Sequence, residues 1–329
     1  MLGTTAAAIL LTSVALTGTA HADSTPVSTE PSSGAVVDPD QQYADFLASR
    51  RPDGSWAGAA DPGDKATAPT TRLDAYPKYT ERQLAEMKAR APKAATGDAA
   101  AQATVQSVKA TPQGTEVTTY LPAPGVTAEQ LAGNLRSRGL QDVRLVRPAA
   151  DRDAARKAPG DCAYGSARTL SCPVVYWRNN GFEDPRVRFN DHSGASWPVS
   201  IAVPKWNRVA NIDSWYAFNS CPSMPGARCV DVFSGNYGDI GWVGLATLSY
   251  PAGGGAISES GARIQLNDYY NPAERGFTRN NVATHEVGHI LGLGHNVYSG
   301  DVLYRIANRR EDIGGENPVL LAGLYSVGR

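Results

Sequence analysis

The segment His285–His295, which reads HEVGHILGLGH, constrains this chain more than any other part of its sequence. His285 and His289 have helical i, i+4 spacing, so on a helix they project from the same face about one turn apart. Gly292 can take the positive φ that ends a helix and turns the chain back, which brings His295 toward the same point. Three neutral imidazoles with one position left for water form the ligand set of a catalytic zinc ion. The segment therefore predicts that His285, His289 and His295 bind one Zn²⁺.

Glu286 lies beside the first of these histidines and is not needed as a ligand. Its predicted role is to take a proton from the water that the zinc activates, which makes Glu286 the general base. A chance occurrence of the string is the competing interpretation. The chain has only five histidines, and three of them lie in this segment, which argues for a zinc site.

Length and composition set the broad class. The 329 residues allow two modest domains, and a hydrophobic content of 42% with 19% charged residues permits a globular core. The formal net charge is −1 and no basic stripe is present, so the sequence does not indicate a nucleic-acid partner. We also expect no membrane partner and a monomeric state.

The N-terminus is typical of a secretory signal peptide. Residues 6–20 are small and apolar, and Ala20-His21-Ala22 fits an A-x-A cleavage site. No Lys or Arg precedes the apolar run, so an ordinary buried helix remains the alternative. The interpretation preferred here is a signal peptide over residues 1–22 and a secreted, extracellular protein.

The cysteines agree with an oxidising compartment. Three pairings are open to the four cysteines of the chain: Cys162, Cys172, Cys221 and Cys229. We expect the local pairing, Cys162 with Cys172 and Cys221 with Cys229, because each bond then closes a short loop.

The region 23–160 has a different composition from the rest. Residues 23–41 are rich in Ser, Thr, Pro and Gly, which predicts disorder or loose attachment. Residues 42–110 are sparsely hydrophobic, and only Tyr79–Ala91 within them has helical character.

A β-α-β unit follows in the sequence. Thr115–Leu121 is typical of a strand, a capping box from Thr127 to Gln130 opens a helix that runs to about Ser137, and Val143–Val146 is typical of a second strand. Residues 148–161 are small, charged and bounded by proline, as in an exposed, cleavable linker.

The region 161–329 predicts a mixed sheet with two or three helices. A helix is expected from Pro198 to Ala210, although Pro204 conflicts with a helix interior. The zinc helix begins near residues 278–281, and residues 318–327 predict a closing C-terminal helix. Five segments are typical of strands: Pro173–Trp177, Arg186–Asn190, Val230–Phe233, Gly244–Tyr250 and Ala262–Leu266.

The histidine string resembles the H-E-x-x-H-x-x-G-x-x-H motif of the metzincin clan of zinc endopeptidases. The closer likeness, over roughly residues 173–329, is to matrixins and to the small secreted neutral proteases called snapalysins. Three weaker stretches carry it: a helix with Ala202, Trp206 and Val209, the segment Gly244–Pro251, and Arg263–Tyr270 before the zinc helix. The resemblance implies an α+β catalytic domain with a mixed twisted sheet, an antiparallel edge strand, an active-site helix and a C-terminal helix. A smaller α/β pro-region would precede it.

The resemblance also implies how such a chain works. A protein or peptide substrate would add as a strand along the edge, at Gly244, Leu245, Ala246, Thr247 and Leu248. The region 23–160 would be a pro-region that blocks the cleft as an intramolecular inhibitor until it is removed, and residues 161–329 would be the catalytic domain. A separate targeting module is the alternative for the region 23–160.

The chain departs from the family pattern at several points. Leu303 stands where metzincins place a methionine beneath the zinc, and His295 replaces the third-ligand Asp of snapalysins. Thr247 occupies one histidine position of the structural zinc of matrixins, which leaves His192 alone there as a surface or packing residue and argues against a second zinc. Cys162 lies near the position of the matrixin cysteine switch, but the motif's Arg is absent, so we prefer the disulfide. Calcium is the other candidate cofactor, with three acidic residues that could instead cap turns: Asp231, Asp239 and Asp268.

Two other functions remain open from sequence. A degenerate protease domain could act as a binding or inhibitory protein, which the missing methionine and the large N-terminal region favour. The intact set of three histidines and Glu286 favours an enzyme instead. A zinc hydrolase acting on a narrow non-protein amide is the second alternative.

Overall fold

The computed structural model of the chain describes residues 35–67, 77–90, 103–112, 114–146, 173–221 and 223–326. Among these residues the strands are β1 (Thr104–Thr111), β2 (Gly114–Pro122), β3 (Val143–Val146), β4 (Val175–Tyr176), β5 (Arg186–Asp191), β6 (Asp213–Phe218), β7 (Ala227–Gly235), β8 (Trp242–Tyr250), β9 (Gly255–Ala256) and β10 (Ser258–Asn267). The α-helices are α1 (Pro39–Ser49), α2 (Glu81–Ala89), α3 (Ala128–Ser137), α4 (Val199–Asn207), α5 (Pro272–Arg275), α6 (Arg279–Ile290) and α7 (Asn317–Tyr325). A short 3₁₀ helix covers Gly63–Thr67.

One mixed sheet of eight strands runs through the molecule in the order β3-β1-β2-β8-β10-β7-β5-β6. The pairs β10–β7, β7–β5 and β5–β6 are parallel. The pairs β10–β8, β8–β2, β2–β1 and β1–β3 are antiparallel. Strands β4 and β9 form a separate parallel pair. The sheet therefore joins strands from the predicted pro-region and from the predicted catalytic region.

The two faces of this sheet carry different layers. Side chains alternate between the faces of a strand, and on β8 Ala246 and Leu248 belong to a large core with α4, α6 and α7, whereas Leu245 belongs to a second core with α3. We call the first face the active-site face. The second, the outer face, also carries α1, whose Phe46 packs against Phe233 of β7.

Local sequence explains most of the predicted elements. The side chain of Thr278 caps α6 by accepting a hydrogen bond from the Asn281 N–H, and Thr127 and Gln130 form the predicted capping box of α3. Helix α4 is confirmed, with Pro204 inside it. Its buried residues, which include Trp206, stabilise the helix by packing and outweigh the hydrogen bond that proline removes.

The two strands of the predicted β-α-β unit are not adjacent in the sheet. Strand β1, which the sequence analysis did not predict, lies between β2 and β3 and is antiparallel to both. Its two valines, Val105 and Val108, are three positions apart, so the strand lacks the alternation that marks a half-buried strand.

The prediction that residues 23–41 are loosely attached is wrong for its last residues. Helix α1 begins at Pro39, and the Asp38 side chain caps it by accepting a hydrogen bond from the Gln41 N–H. The helix was missed because Phe46 is its only fully buried side chain, so no apolar periodicity marks it. The signal was an Asp-Pro pair, a helix cap followed by proline in the first turn.

The expected edge strand is present but is not an edge. Strand β8 is antiparallel to β10 as predicted, yet β2 pairs with its other side from Thr115 to Pro122. The correction has a physical reason: β8 presents free backbone groups on that side, and a strand of the same chain satisfies them.

Other predictions have mixed outcomes. The strand predicted at Pro173–Trp177 is shorter in the structure, where it covers Val175–Tyr176. Cys221 and Cys229 form the expected disulfide bond. The signal peptide, the linker 148–161, Cys162 and Cys172 lie outside the described residues. No helix in the described ranges is both long and apolar enough to cross a membrane.

Candidate metal centre

Helix α6 carries the first two histidines of the centre. The Nδ1 atom of His285 lies 2.7 Å from the Val302 carbonyl oxygen, and that of His289 lies 2.9 Å from the Leu293 carbonyl oxygen. A carbonyl oxygen only accepts, so each ring carries its proton on Nδ1 and keeps the Nε2 lone pair available for a metal ion.

The third histidine arrives through the turn at Gly292. This residue has φ +100°, and a Cβ there would lie 2.7 Å from the Val175 carbonyl oxygen, so only glycine fits. The turn places His295 Nε2 at 2.9 Å from His285 Nε2. One ligand atom from each of the three histidines lies within 4.8 Å of the other two.

These ring atoms fit a zinc ion. The Nε2 atom of His289 is buried and has no hydrogen-bond partner in the described part of the chain. Burial lowers the pKa of His289 to about 4 and holds the pKa values of His285 and His295 well below the usual range. All three rings are therefore neutral near pH 7, which is the state in which imidazole binds zinc.

Glu286 lies beside the three rings in an apolar setting. Its side chain is fully buried, and neither carboxylate oxygen has a hydrogen-bond partner among the residues described. It faces Gly244 of β8, where a Cβ would lie 2.6 Å from Oε1. Burial raises the pKa of Glu286 well above its usual range. A buried carboxyl without a partner is costly unless a cation or substrate lies next to it, which makes Glu286 a candidate functional residue.

Leu303 forms part of the floor beneath α6. It is fully buried, and a Cβ on Gly288 of α6 would lie 2.9 Å from its Cδ2 atom. The turn that carries it is held by Asp301, whose carboxylate accepts hydrogen bonds from the Leu303 N–H at 2.7 Å and from Asn317 Nδ2 at 2.8 Å. Leucine thus fills, by packing, the position where the resemblance expects methionine.

The predicted substrate strand is paired along its length with β2. Across the two strands Leu121 pairs with Gly244, Tyr120 with Leu245, Thr119 with Ala246, Thr118 with Thr247 and Val117 with Leu248. The hydroxyl groups of Thr118 and Thr247 are 2.9 Å apart. Every residue predicted to bind substrate therefore already contacts a strand of the same chain.

The N-terminal strands also reach the metal centre itself. Thr104 Oγ1 on β1 lies 3.1 Å from His295 Nδ1, a contact that the sequence analysis did not predict. A cavity of about 30 Å³ remains between His289 and His295 on one side and Val117 and Thr119 on the other. It has room for about one or two water molecules and not for a peptide. No local sequence signal could have found these residues, because their place depends on strand pairing.

The remaining candidate ligands are bonded to protein groups. On the outer face, His192 is 1% exposed and contacts Asn219 and Asp231. Asp239 accepts a hydrogen bond from the Tyr270 hydroxyl at 2.7 Å, and Asp268 accepts one from Trp197 Nε1 at 2.6 Å. Calcium binding by Asp231, Asp239 or Asp268 stays a prediction.

Comparison with known protein families shows where this chain has a relative. The family model described as Peptidase_M10, Matrixin, matches residues 52–314. The match includes the three histidines and Glu286, and it begins before α2. A search of curated proteins found no match.

Proposed function

Because this chain belongs to the matrixin family, whose members are zinc metalloendopeptidases, we propose that it is a secreted zinc endopeptidase with Glu286 as the general base. The observation that carries the proposal is the convergence of three histidine Nε2 atoms beside a buried carboxyl that lacks a protein partner. The signal-like N-terminus and the disulfide between Cys221 and Cys229 support secretion.

The residues have separate tasks in the proposed reaction. Zinc bound by His285, His289 and His295 would lower the pKa of water toward about 7 and polarise the scissile carbonyl. Glu286 takes the proton from the attacking water onto a carboxylate oxygen and passes it to the leaving amine.

Substrate binding follows from the strand arrangement. An extended peptide would pair antiparallel with Gly244–Leu248 of β8, in the direction that β2 takes in the intact chain. Residues 103–146, which we call the edge module, would therefore keep the intact chain latent. Its core is shared with strand β8 of the predicted catalytic domain, since Leu131 of α3 packs in one cluster with Trp242 and Leu245.

The peptidase proposal is tested on purified protein from which the edge module has been removed. We expect cleavage of casein or gelatin and loss of that activity on chelation. Glu286→Gln should lower kcat by about 10²–10⁴-fold and retain one zinc per chain. Full activity in this variant would refute the role of Glu286. Bound zinc without hydrolysis of any denatured protein would favour a binding or inhibitory protein instead.

The latency proposal is tested on the uncut chain. Leu131→Asp places a charge in the core beneath the edge module and should raise peptidase activity without proteolysis. The matched control is Gly133→Asp on the same helix, where the side chain is exposed and meets nothing within 4 Å, so the chain should stay latent. Equal activity in both variants, with normal zinc content, would show that the edge module is not the inhibitor. N-terminal sequencing of the secreted protein then locates the natural cut.

A further inference from the structure

Residues 37–67, which we call the N-terminal layer, pack against β5, β7 and the segments that follow them. We call these two strands the catalytic strands, because they belong to the predicted catalytic domain. Backbone hydrogen bonds join residues 37–60 to the outer face at three points. The Val37 N–H donates to the Asn236 carbonyl oxygen at 2.8 Å, and the Ala60 N–H donates to the His192 carbonyl oxygen at 3.0 Å. Between these points, the Cys221 N–H donates to the Asp53 carbonyl oxygen at 2.7 Å.

The layer supplies the apolar cover of that face. Phe46 is fully buried and packs edge-on against Phe233 at a ring separation of 5.1 Å. Trp56 packs against the same ring at 5.6 Å and against His192 at 6.0 Å. Without the layer, Phe233 and His192 would be exposed to solvent. By covering both rings, the layer removes the free-energy cost of exposing that apolar surface to water.

The layer also satisfies buried polar groups of the catalytic strands. Lys65 Nζ lies 2.9 Å from Asp191 Oδ2, and both side chains are nearly buried, at 8% and 0% exposure. The Trp56 N–H donates to Asn219 Oδ1 at 2.8 Å, and Asn190 Nδ2 donates to the Gly54 carbonyl oxygen at 2.9 Å. Removing one partner of a buried ion pair leaves a charge without compensation, so Asp191 depends on Lys65.

The layer and the edge module therefore have different relations to the metal centre. The edge module pairs with β8 and contacts His295. In the N-terminal layer, Phe46 and Trp56 pack on the opposite face against Phe233 of β7, and Lys65 lies beside Asp191 at the end of β5. We propose that the N-terminal layer is a permanent part of the catalytic domain. It stays bound to the catalytic strands, without a covalent link, when the chain is cut on both sides of the edge module.

This inference rests on the proposed removal of the edge module, but its test does not need peptidase activity. We would insert one protease site within residues 91–102 and one within residues 147–172 of the full chain, in a Glu286→Gln background with a C-terminal affinity tag. After both cuts in the folded state, the fragment that carries residues 37–67 should remain with the tagged fragment at a ratio of one to one. Its release from the tagged fragment under native conditions would overturn the proposal.

Matched variants identify the contacts responsible. Phe46→Ala should reduce retention of the N-terminal fragment at least tenfold and lower the Tm of the uncut chain by on the order of 5–10 °C. Leu47→Ala, its neighbour with 57% exposure, should change neither. Lys65→Met, which keeps the apolar stem, should also reduce retention, and it covers the case in which Phe46→Ala fails to fold. Equal retention in Phe46→Ala, Lys65→Met and Leu47→Ala would contradict the inference.

Discussion

Buried histidines lie on both faces of the sheet, and they differ in what their ring nitrogens contact. On the outer face His192 uses both nitrogens: Nδ1 lies 2.9 Å from Asn219 Oδ1 and Nε2 lies 3.2 Å from Asp231 Oδ1. In the metal centre the oxygen partners found among the described residues all lie at Nδ1 atoms, and the Nε2 atoms converge on one another. Buried polar atoms are normally hydrogen-bonded, so ring nitrogens that converge only on one another mark a candidate ligand site, whereas His192, bonded to other protein groups at both nitrogens, is structural.

The carboxyl groups of the two faces differ in the same way. Asp231 accepts a hydrogen bond from Asn190 Nδ2 at 2.8 Å in addition to its contact with His192. Glu286 has no such partner within the described ranges. Burial alone therefore does not identify a reactive group; the decisive property is whether other protein groups satisfy its hydrogen-bonding atoms.

Zinc affinity should distinguish the histidines of the metal centre from His192, and this is the strongest effect expected. His289→Ala removes one of three ligands and should weaken zinc binding by on the order of 10²–10³-fold, one ligand's share of a typical zinc binding energy. His192→Ala should leave the zinc affinity unchanged, because its nitrogens face protein groups. Competition with a chromogenic chelator measures both. A loss of zinc from His192→Ala would show that His192 is not a purely structural histidine.

Acidification should destabilise the zinc-free protein through the metal-centre histidines. The pKa of His289 falls from 6.5 in the unfolded chain to about 4 in the folded one. A lowered folded pKa gives stability that is present above pH 6.5 and is lost as the pH falls toward 4, here about 3 kcal/mol from His289. Glu286 acts in the opposite direction, because its raised pKa favours the folded state at low pH.

A Glu286→Gln background removes that opposing contribution. Urea unfolding at pH 7.5 and pH 4.5 should then show a smaller loss of stability when His289 is also replaced by Gln. Equal pH dependence with and without His289 would mean that this ring is not held neutral by the fold.

His192→Ala should cost stability instead of zinc. The substitution removes a ring packed at 5.1 Å from both Phe46 and Phe233, and it deprives Asp231 and Asn219 of a partner. We expect the free energy of unfolding to fall by about 2–3 kcal/mol. Thermal and urea unfolding of the zinc-loaded protein test this, and an unchanged stability would remove the structural role assigned to His192.

Gly292→Ala should affect both stability and metal binding, because His295 depends on the turn. Alanine at φ +100° carries strain of roughly 1–3 kcal/mol, and its Cβ would meet the Val175 carbonyl oxygen. Gly133→Ala is the control: its site is helical and open, so stability should rise by up to about 1 kcal/mol. If both substitutions behaved alike, the turn would not position His295.

The smallest expected effect concerns the contact between the edge module and the metal centre. Thr104→Val removes the hydroxyl beside His295 Nδ1 and should lower the zinc affinity of the uncut chain about tenfold. Thr104→Ser should retain the affinity. Equal zinc affinity of Thr104→Val and wild type in the uncut chain would contradict the contact.

The sequence predicted the local geometry of the metal centre well. Helix α6 and the positive φ at Gly292 follow from short-range spacing, whereas the place of Leu303 beneath the helix was expected from the resemblance to metzincins. Strand β8 was also recognised. The helix, the turn and the strand each depend on residues within a few positions of one another, where helix and turn geometry leave few choices.

The sequence analysis failed where packing replaces local pattern. Strand β1 has no alternation, and α1 buries only Phe46 fully, so neither shows the periodicity that marks an element. The Thr104 contact with His295 joins residues 191 positions apart, a separation that no motif covers.

The sequence by itself determined the chemistry available to this protein, since three histidines and Glu286 lie within one helix and its turn. Tertiary structure alone decided which other groups surround the metal centre. It placed β2 on the edge of β8, Thr104 against His295, and the N-terminal layer on the outer face. The physical reason is that strand pairing and face-to-face packing depend on backbone hydrogen bonds and apolar area matched across distant segments, which spacing along the chain does not record.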